Sequence, residues 1–275
     1  MTRAANGTLH AVASTKGTAL AIARAEPPLR FLFPKPVAAT DILPAWVCVT
    51  TLGGGLVGGD HVDLDVAVDE GATLLVTTQA STKVFRGPSE QNVRAKVEGT
   101  LVVLMDPTSC FRDAAYQQTA EIELCANGSL IWLESVTSGR PAFEEAFSFQ
   151  AYRSSIRVTR EGRTLVRDST SLSAEEGSIA ARFDRRGSAL ETLSTLLALG
   201  PRVAPLTDDL LAPADLAPAT LAELAVAPAS VDRAGTKGAL VRVAATSSER
   251  AAIETRKRLR NLHEILRIDP LAYRW

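Results

Sequence analysis

Cysteine is scarce: Cys48, Cys110 and Cys125 are the only three in 275 residues. The count is odd and no pair has C-x-x-C spacing, which argues against a disulfide framework and against a zinc ribbon. Histidine is as sparse. His10, His61 and His263 form neither H-x-x-x-H nor H-E-x-x-H, so no tight imidazole–thiolate metal cage is legible. Charge of either sign is not in excess. Lys+Arg is 30 and Asp+Glu is 31, a net charge of -1, which removes the usual electrostatic reason to bind nucleic acid or an anionic membrane. No apolar run approaches a membrane span, and the opening MTRAANGTLHAVASTKGTAL lacks the apolar stretch of a secretory signal. A chain of the reducing cytoplasm is expected. Catalytic signatures are missing as well: there is no G-x-S-x-G elbow, and no Gly-Lys-Ser/Thr follows a glycine-rich loop.

What is present in abundance is strict alternation. Val62, Leu64, Val66 and Val68 share one parity, and Asp63 and Asp65 the other. Period 2 is the pattern of a strand with one buried face. Asp69-Glu70-Gly71 supplies a turn, and Thr73 to Thr78 reads as the returning strand. The pattern recurs. Gln91–Val97 and Thr100–Met105 flank Glu98-Gly99, Ala120–Leu124 and Leu130–Leu133 flank Asn127-Gly128, and Ser155–Thr159 and Thr164–Arg167 flank Glu161-Gly162. Read as hairpins, these imply a mainly β fold of stacked antiparallel β-layers, β-helical in general form, with no fixed-period repeat. Helix signals come late. The Leu/Ala-rich segment 206–226 is broken by Pro213 and Pro218, and a capping box of Thr246 and Glu249 opens a helix over 247–267 with Ile253, Leu259, Leu262 and Leu266 as its apolar stripe. Gly238 to Ala244 reads as a further strand. With no low-complexity linker, residues 1–275 are expected to form one domain, β-rich over about 8–200 and with a small C-terminal helical part.

The glycine cluster Gly53-Gly54-Gly55-Leu56-Val57-Gly58-Gly59-Asp60 satisfies G-x-G-x-x-G through Gly53, Gly55 and Gly58. A dinucleotide fold needs a helix after that motif so that the helix N-terminus meets the pyrophosphate. Here an alternating strand follows, and the motif reads instead as tight turns or a close backbone crossing. The polar run Thr77 to Arg86 is either a solvated strand end or the lining of a polar channel. Asp60, His61, Asp63 and Asp65 read either as a weak carboxylate–imidazole set for a hard or borderline cation or as the solvated face of an edge strand.

In this order, these pieces resemble the UreD/UreH family of urease accessory proteins. The resemblance begins at Leu29-Arg30-Phe31-Leu32-Phe33-Pro34-Lys35-Pro36 and is sharpest in Thr51 to Asp60. It continues through Glu70-Gly71-Ala72, Thr77-Thr78-Gln79-Ala80 and Lys83-Val84-Phe85-Arg86. Weaker echoes are Met105-Asp106-Pro107, Tyr116-Gln117-Gln118 and Gly139-Arg140-Pro141-Ala142-Phe143-Glu144-Glu145, and the likeness fades after about residue 190. Glu144 stands where the family's GR-x-A-x-GE pattern has glycine, Met105 where a proline is usual, and Glu134 where aspartate is common. The resemblance implies a non-catalytic scaffold that assembles with a UreF-type protein and a UreG-type GTPase, docks on apo-urease, and handles nickel as transient cargo with no tightly bound cofactor. It makes Gly54, Gly55, Gly58, Gly59, Asp60, Thr78, Gln79, Lys83, Arg86, Arg140 and Glu145 the candidates for partner contact or a nickel passage. Asp60, His61 and Asp63 are the candidate weak nickel ligands. Asp60 with the Thr78-Gln79-Lys83 segment is expected to border the passage. Two alternatives stand beside this reading: a nucleotide-using enzyme, and a β-rich module binding carbohydrate or peptide.

Overall fold

The computed structural model describes residues 5–35, 42–182, 184–185, 188–213 and 223–273. Strands dominate, and in chain order the first are β1 (Gly7–Ser14), β2 (Gly17–Ala25), β3 (Leu29–Leu32) and β4 (Ala45–Thr51). There follow β5 (His61–Val68), β6 (Thr73–Thr78), β7 (Thr82–Val84), β8 (Gly87–Val97), β9 (Thr100–Leu104), β10 (Thr108–Cys110), β11 (Ala114–Leu124) and β12 (Ser129–Thr137). A small ribbon of β13 (Gly139–Arg140) and β14 (Glu145–Ala146) precedes β15 (Ala151–Arg160) and β16 (Arg163–Ser173). After a second small ribbon, β17 (Asp184–Arg185) and β18 (Ser188–Ala189), come β19 (Thr192–Leu199), β20 (Leu224–Arg233) and β21 (Thr236–Ala245).

The mainly β class with a small C-terminal helical part is what the chain forms, but the central pairing is parallel. One sheet runs β16-β15-β11-β8-β5-β1-β2 and the other β20-β21-β19-β12-β9-β6-β4-β3. Successive strands β5 and β6 lie in different sheets, as do β8 and β9, and β11 and β12. The turns at Asp69-Glu70-Gly71, Glu98-Gly99 and Asn127-Gly128 therefore carry the chain across the interior instead of closing hairpins. Each strand then pairs in parallel with its equivalent one coil on, Leu64 with Val93 and Val93 with Ala120 in one sheet, Val76 with Val103 in the other. The coil length is 29 residues from Leu64 to Val93 and 27 from Val93 to Ala120. The next step, Ala120 to Ile156, is 36 residues, so the coils repeat in polarity but keep neither a fixed length nor residue identity. Glu161-Gly162 does close a hairpin: β15 and β16 pair antiparallel, and both turn residues have positive φ, 49° and 73°.

Inward residues of both sheets, among them Leu64, Val93, Ile122, Val103 and Trp132, form one core. The outer face of the second sheet carries another, in which Leu75, Val102, Ile131 and Val241 meet Val203, Leu206, Leu262 and Leu266. This explains why β9 is buried at every position and reads as a continuous apolar run without alternation. The covering helices include α1 (Thr207–Leu211), α2 (Ser248–Arg258) and α3 (Leu262–Leu266).

The helical expectations need adjustment. Ser247, not Thr246, caps α2, its Oγ accepting from the Arg250 N–H at 3.2 Å. Helix α2 stops at Arg258, so Leu259, Leu262 and Leu266 are buried while Ile253 is 62% exposed. Among the described residues of 206–226 the α-helix is Thr207–Leu211, and Leu224 already begins β20; residues 214–222, Pro218 among them, lie outside the described residues. Among the described residues no helix is long and apolar enough to cross a membrane.

Candidate functional site

The two sequence blocks that carry the resemblance are in direct contact. The glycine-rich loop leaves β4 and lies against the segment that links β7 to β8. Leu56 N–H donates to Lys83 O and Phe85 N–H to Leu56 O, each at 2.8 Å, and Gly59 N–H donates to Pro88 O at 2.7 Å. The approach is too close for side chains. A Cβ on Gly55 would stand 2.5 Å from Lys83 O, and one on Gly58 2.9 Å from Arg86 O. The glycines thus serve as a close backbone crossing. Asp60 belongs to this seam, its Oδ2 accepting from Val57 N–H at 2.8 Å.

Against the loop lies a cavity of about 190 Å³, lined by residues of both sheets. Its wall includes Gly54, Gly55, Thr78, Gln79 and Lys83, together with Gln91, Asp106 and Gln118. Asp60 is not on that wall; the turn holds it instead. Thr78 Oγ1 donates to Asp106 Oδ2 at 2.7 Å and accepts from the Asp106 N–H at 2.7 Å. Thr78, Gln79, Ser81 and Asp106 also face an outer pocket of about 800 Å³ that reaches Lys35, Trp46 and Cys48. The inner cavity therefore has a polar rim toward the surface.

On its deep side, Gln118 passes the polar lining to a buried carboxylate. Gln118 Nε2 donates to Glu134 Oε2 at 2.7 Å, Trp132 Nε1 to the same oxygen at 3.1 Å, and Ser154 Oγ to Glu134 Oε1 at 2.7 Å. Tyr116 OH donates to Gln118 Oε1 at 3.1 Å. Glu134 is 8% exposed. Burial pushes its pKa up, the hydrogen bonds from Ser154, Trp132 and Gln118 pull it back, and Asp168 adds an upward push. Strand parity builds this row. Gln91, Gln118, Ser154 and Thr170 occupy one register line of the first sheet, and Glu134 and Thr195 are paired in the second. Polar side chains therefore cross the apolar interior from coil to coil.

His61 and Asp63 face the other way. His61 Nε2 is 2.9 Å from Asp63 Oδ2 and its Nδ1 3.1 Å from Glu90 Oε2, while Asn92 Nδ2 donates to Asp63 Oδ1 at 3.1 Å. These contacts occupy the outer face of β5, with Val62 and Leu64 turned inward. Asp60, His61 and Asp63 are thus not brought together around one point. Among the described residues no group of three or more His, Cys, Asp or Glu side chains could hold a metal ion. Arg86 is exposed and pairs with Asp113 at 3.0 Å. Arg140 packs its guanidinium 4.2 Å from the Phe111 ring centroid and binds Glu145 Oε2 through Nε and Nη2 at 2.8 and 2.6 Å. That pair closes the β13–β14 ribbon, and Glu144, in the glycine position of the pattern, has φ 58° and ψ 30°.

A family model described as UreD urease accessory protein matches residues 4–272. The chain belongs to the UreD family. A UreD urease accessory protein of Sorangium cellulosum is 43% identical over 94% of this chain and 80% of the relative. One from Anaeromyxobacter sp. is 37% identical over 90% of this chain and 82% of the relative. Urease accessory protein D of Arabidopsis thaliana is 37% identical over 46% of this chain and 45% of its own length. In this UreD-family chain the two sequence blocks form a structural seam, their residues holding each other by backbone hydrogen bonds. Sequence reasoning did not gather Asp106, Gln118, Trp132, Glu134 and Ser154 into one site. The available signal was parity: Gln118 falls in step with inward Tyr116 and Ala120, and Glu134 with inward Trp132 and Val136.

Proposed function

We propose that this UreD-family chain is a non-catalytic scaffold of urease maturation that passes nickel as transient cargo toward apo-urease. It works in the cytoplasm, assembled with a UreF-type protein and a UreG-type GTPase, and GTP with its magnesium belongs to the latter. The observation that carries the reading is the interior polar row from the Thr78–Asp106 rim through Gln118 to Glu134. Amide, hydroxyl and single carboxylate oxygens in series suit movement. A His/Cys cage would bind a late first-row metal strongly and release it slowly. Glu134 is the strongest point of the row: a divalent cation beside it favours the ionised carboxylate that burial disfavours. Within the seam, Gly58, Gly59 and Asp60 fix the loop, and its Gly54 and Gly55 line the mouth with Thr78, Gln79 and Lys83. Arg86, Arg140 and Glu145 shape the surface beside it for partner contact. Deleting the gene tests the reading. Urease protein should accumulate without nickel, and re-supplying the chain should restore metal content. Fully nickel-loaded urease in the deletion strain would contradict it.

A further inference from the structure

The outer face of the seven-stranded sheet changes character at its β15–β16 edge. Over β5 and β8 opposite charges meet: Arg94 Nε lies 2.7 Å from Asp65 Oδ1, His61 sits between Asp63 and Glu90, and Lys96 is 3.0 Å from Glu98 in the turn after β8. The last two strands carry arginine instead. Arg153 and Arg157 share the outward parity of β15, Arg167 stands directly opposite Arg157 on β16, and Arg163 stands opposite Arg160 at the hairpin end. Glu121 Oε2 meets Arg157 at 2.6 Å. The side chains of Arg153, Arg163 and Arg167 are exposed and form no ion pair or hydrogen bond with a described residue. Asp168, the acid within these two strands, turns inward to Arg242. Like charges placed directly opposite one another oppose strand pairing.

β16 is also the edge of its sheet, hydrogen-bonded on its β15 side. Charge on an edge can serve merely to discourage aggregation. The other edges are not treated that way: β2 carries the single charge Arg24, β3 the single charge Arg30, and β20 the pair Asp232 and Arg233. We infer that the β15–β16 edge docks an acidic segment of a partner protein, laid along β16 as an added strand with carboxylates over Arg153 and Arg167. Among the described residues no strand pairs with the outer edge of β16, and main-chain hydrogen bonds to such an edge supply affinity in strand addition. The planar guanidinium fork matches a carboxylate in two-point geometry. A nucleic acid fits less well, because Glu121 and Glu123 on the adjoining β11 and the chain's net charge of -1 repel a phosphate backbone that runs past the edge.

Hydrogen exchange on the full chain tests this with three probes: a short peptide alternating glutamate and threonine, its glutamine counterpart, and a DNA duplex. The acidic peptide should slow exchange over residues 163–173, and the double variant Arg153→Gln/Arg167→Gln should weaken that binding by about tenfold or more at a melting temperature no lower than that of the native chain. No protection of β16, equal protection by the glutamine peptide, undiminished binding by the variant, or protection by the duplex alone would each overturn the proposal.

Discussion

Glu144 offers a quantitative test of the local structure. It follows the short 3-10 helix Pro141–Phe143, its N–H donates to Pro141 O at 3.0 Å, and its backbone is left-handed at φ 58° and ψ 30°. The side chain is exposed, while its neighbour Glu145 holds Arg140. A Cβ in this region crowds the following carbonyl and costs about 1–2 kcal/mol. Replacing Glu144 by glycine removes that cost but returns about 0.5–1 kcal/mol of backbone entropy to the unfolded chain. At the mid-range of both contributions the net expectation for Glu144→Gly is a gain of about 0.75 kcal/mol, or a rise in melting temperature of about 2–3 °C. Urea unfolding should show a higher midpoint at an unchanged slope, since the buried area is the same. Glu144→Ala is the decisive control. It removes the charge and keeps the Cβ, so it should give no such gain. Equal stabilisation by alanine, or no stabilisation by glycine, would refute the left-handed-strain argument.

Two further perturbations address the interior and the seam. Burial raises the pKa of Glu134 above 4.5, so its protonated form favours the fold. Stability from this group is fully present below the unfolded value and is lost as pH rises through the folded one. Relative to Glu134→Gln, which cannot titrate, the native chain should therefore lose stability from pH 4.5 upward in urea titrations; a flat or opposite pH trend would show that burial does not dominate there. Gly55→Ala forces a Cβ to within 2.5 Å of Lys83 O and 2.7 Å of the Phe85 ring, and should cost about 1–3 kcal/mol with faster exchange at the Leu56 and Phe85 amides. Unchanged stability and exchange would mean the seam yields without penalty.

Much of this architecture was legible in the chain. Alternation in Val62 to Val68 and the turn residues after it located β5 and the crossing to β6. A turn signal does not say whether the next strand pairs beside its predecessor or faces it across a core. Asn127-Gly128 and Glu161-Gly162 look alike in sequence, yet the first bridges two sheets and the second closes a hairpin. The parallel stacking was hidden because coils share polarity rather than residue identity, as in the row Leu64, Val93, Ala120 and Ile156. Ile253 illustrates the reverse error. Helical spacing put it on the buried stripe, but α2 ends at Arg258 and packs with Ala251, Glu254, Thr255 and Arg258 instead, the last bonded to Glu254 at 2.7 Å. In the candidate site, Thr78, Gln79 and Lys83 could be named from the polar run after an apolar strand. The link to Glu134 required knowing which strands lie across the core from one another.

The nickel content of urease matured with Glu134→Gln tests the central claim most directly. The measurement is metal per urease active site, made on preparations in which the accessory complex has been shown to assemble at the native ratio. Glutamine preserves the shape of the side chain and removes the one carboxylate at the deep end of the Thr78–Asp106–Gln118 row. If nickel moves along that row, loading should fall by about tenfold or more, in line with the loss of an oriented metal-site group. Full nickel occupancy with an intact accessory complex would contradict the interior route.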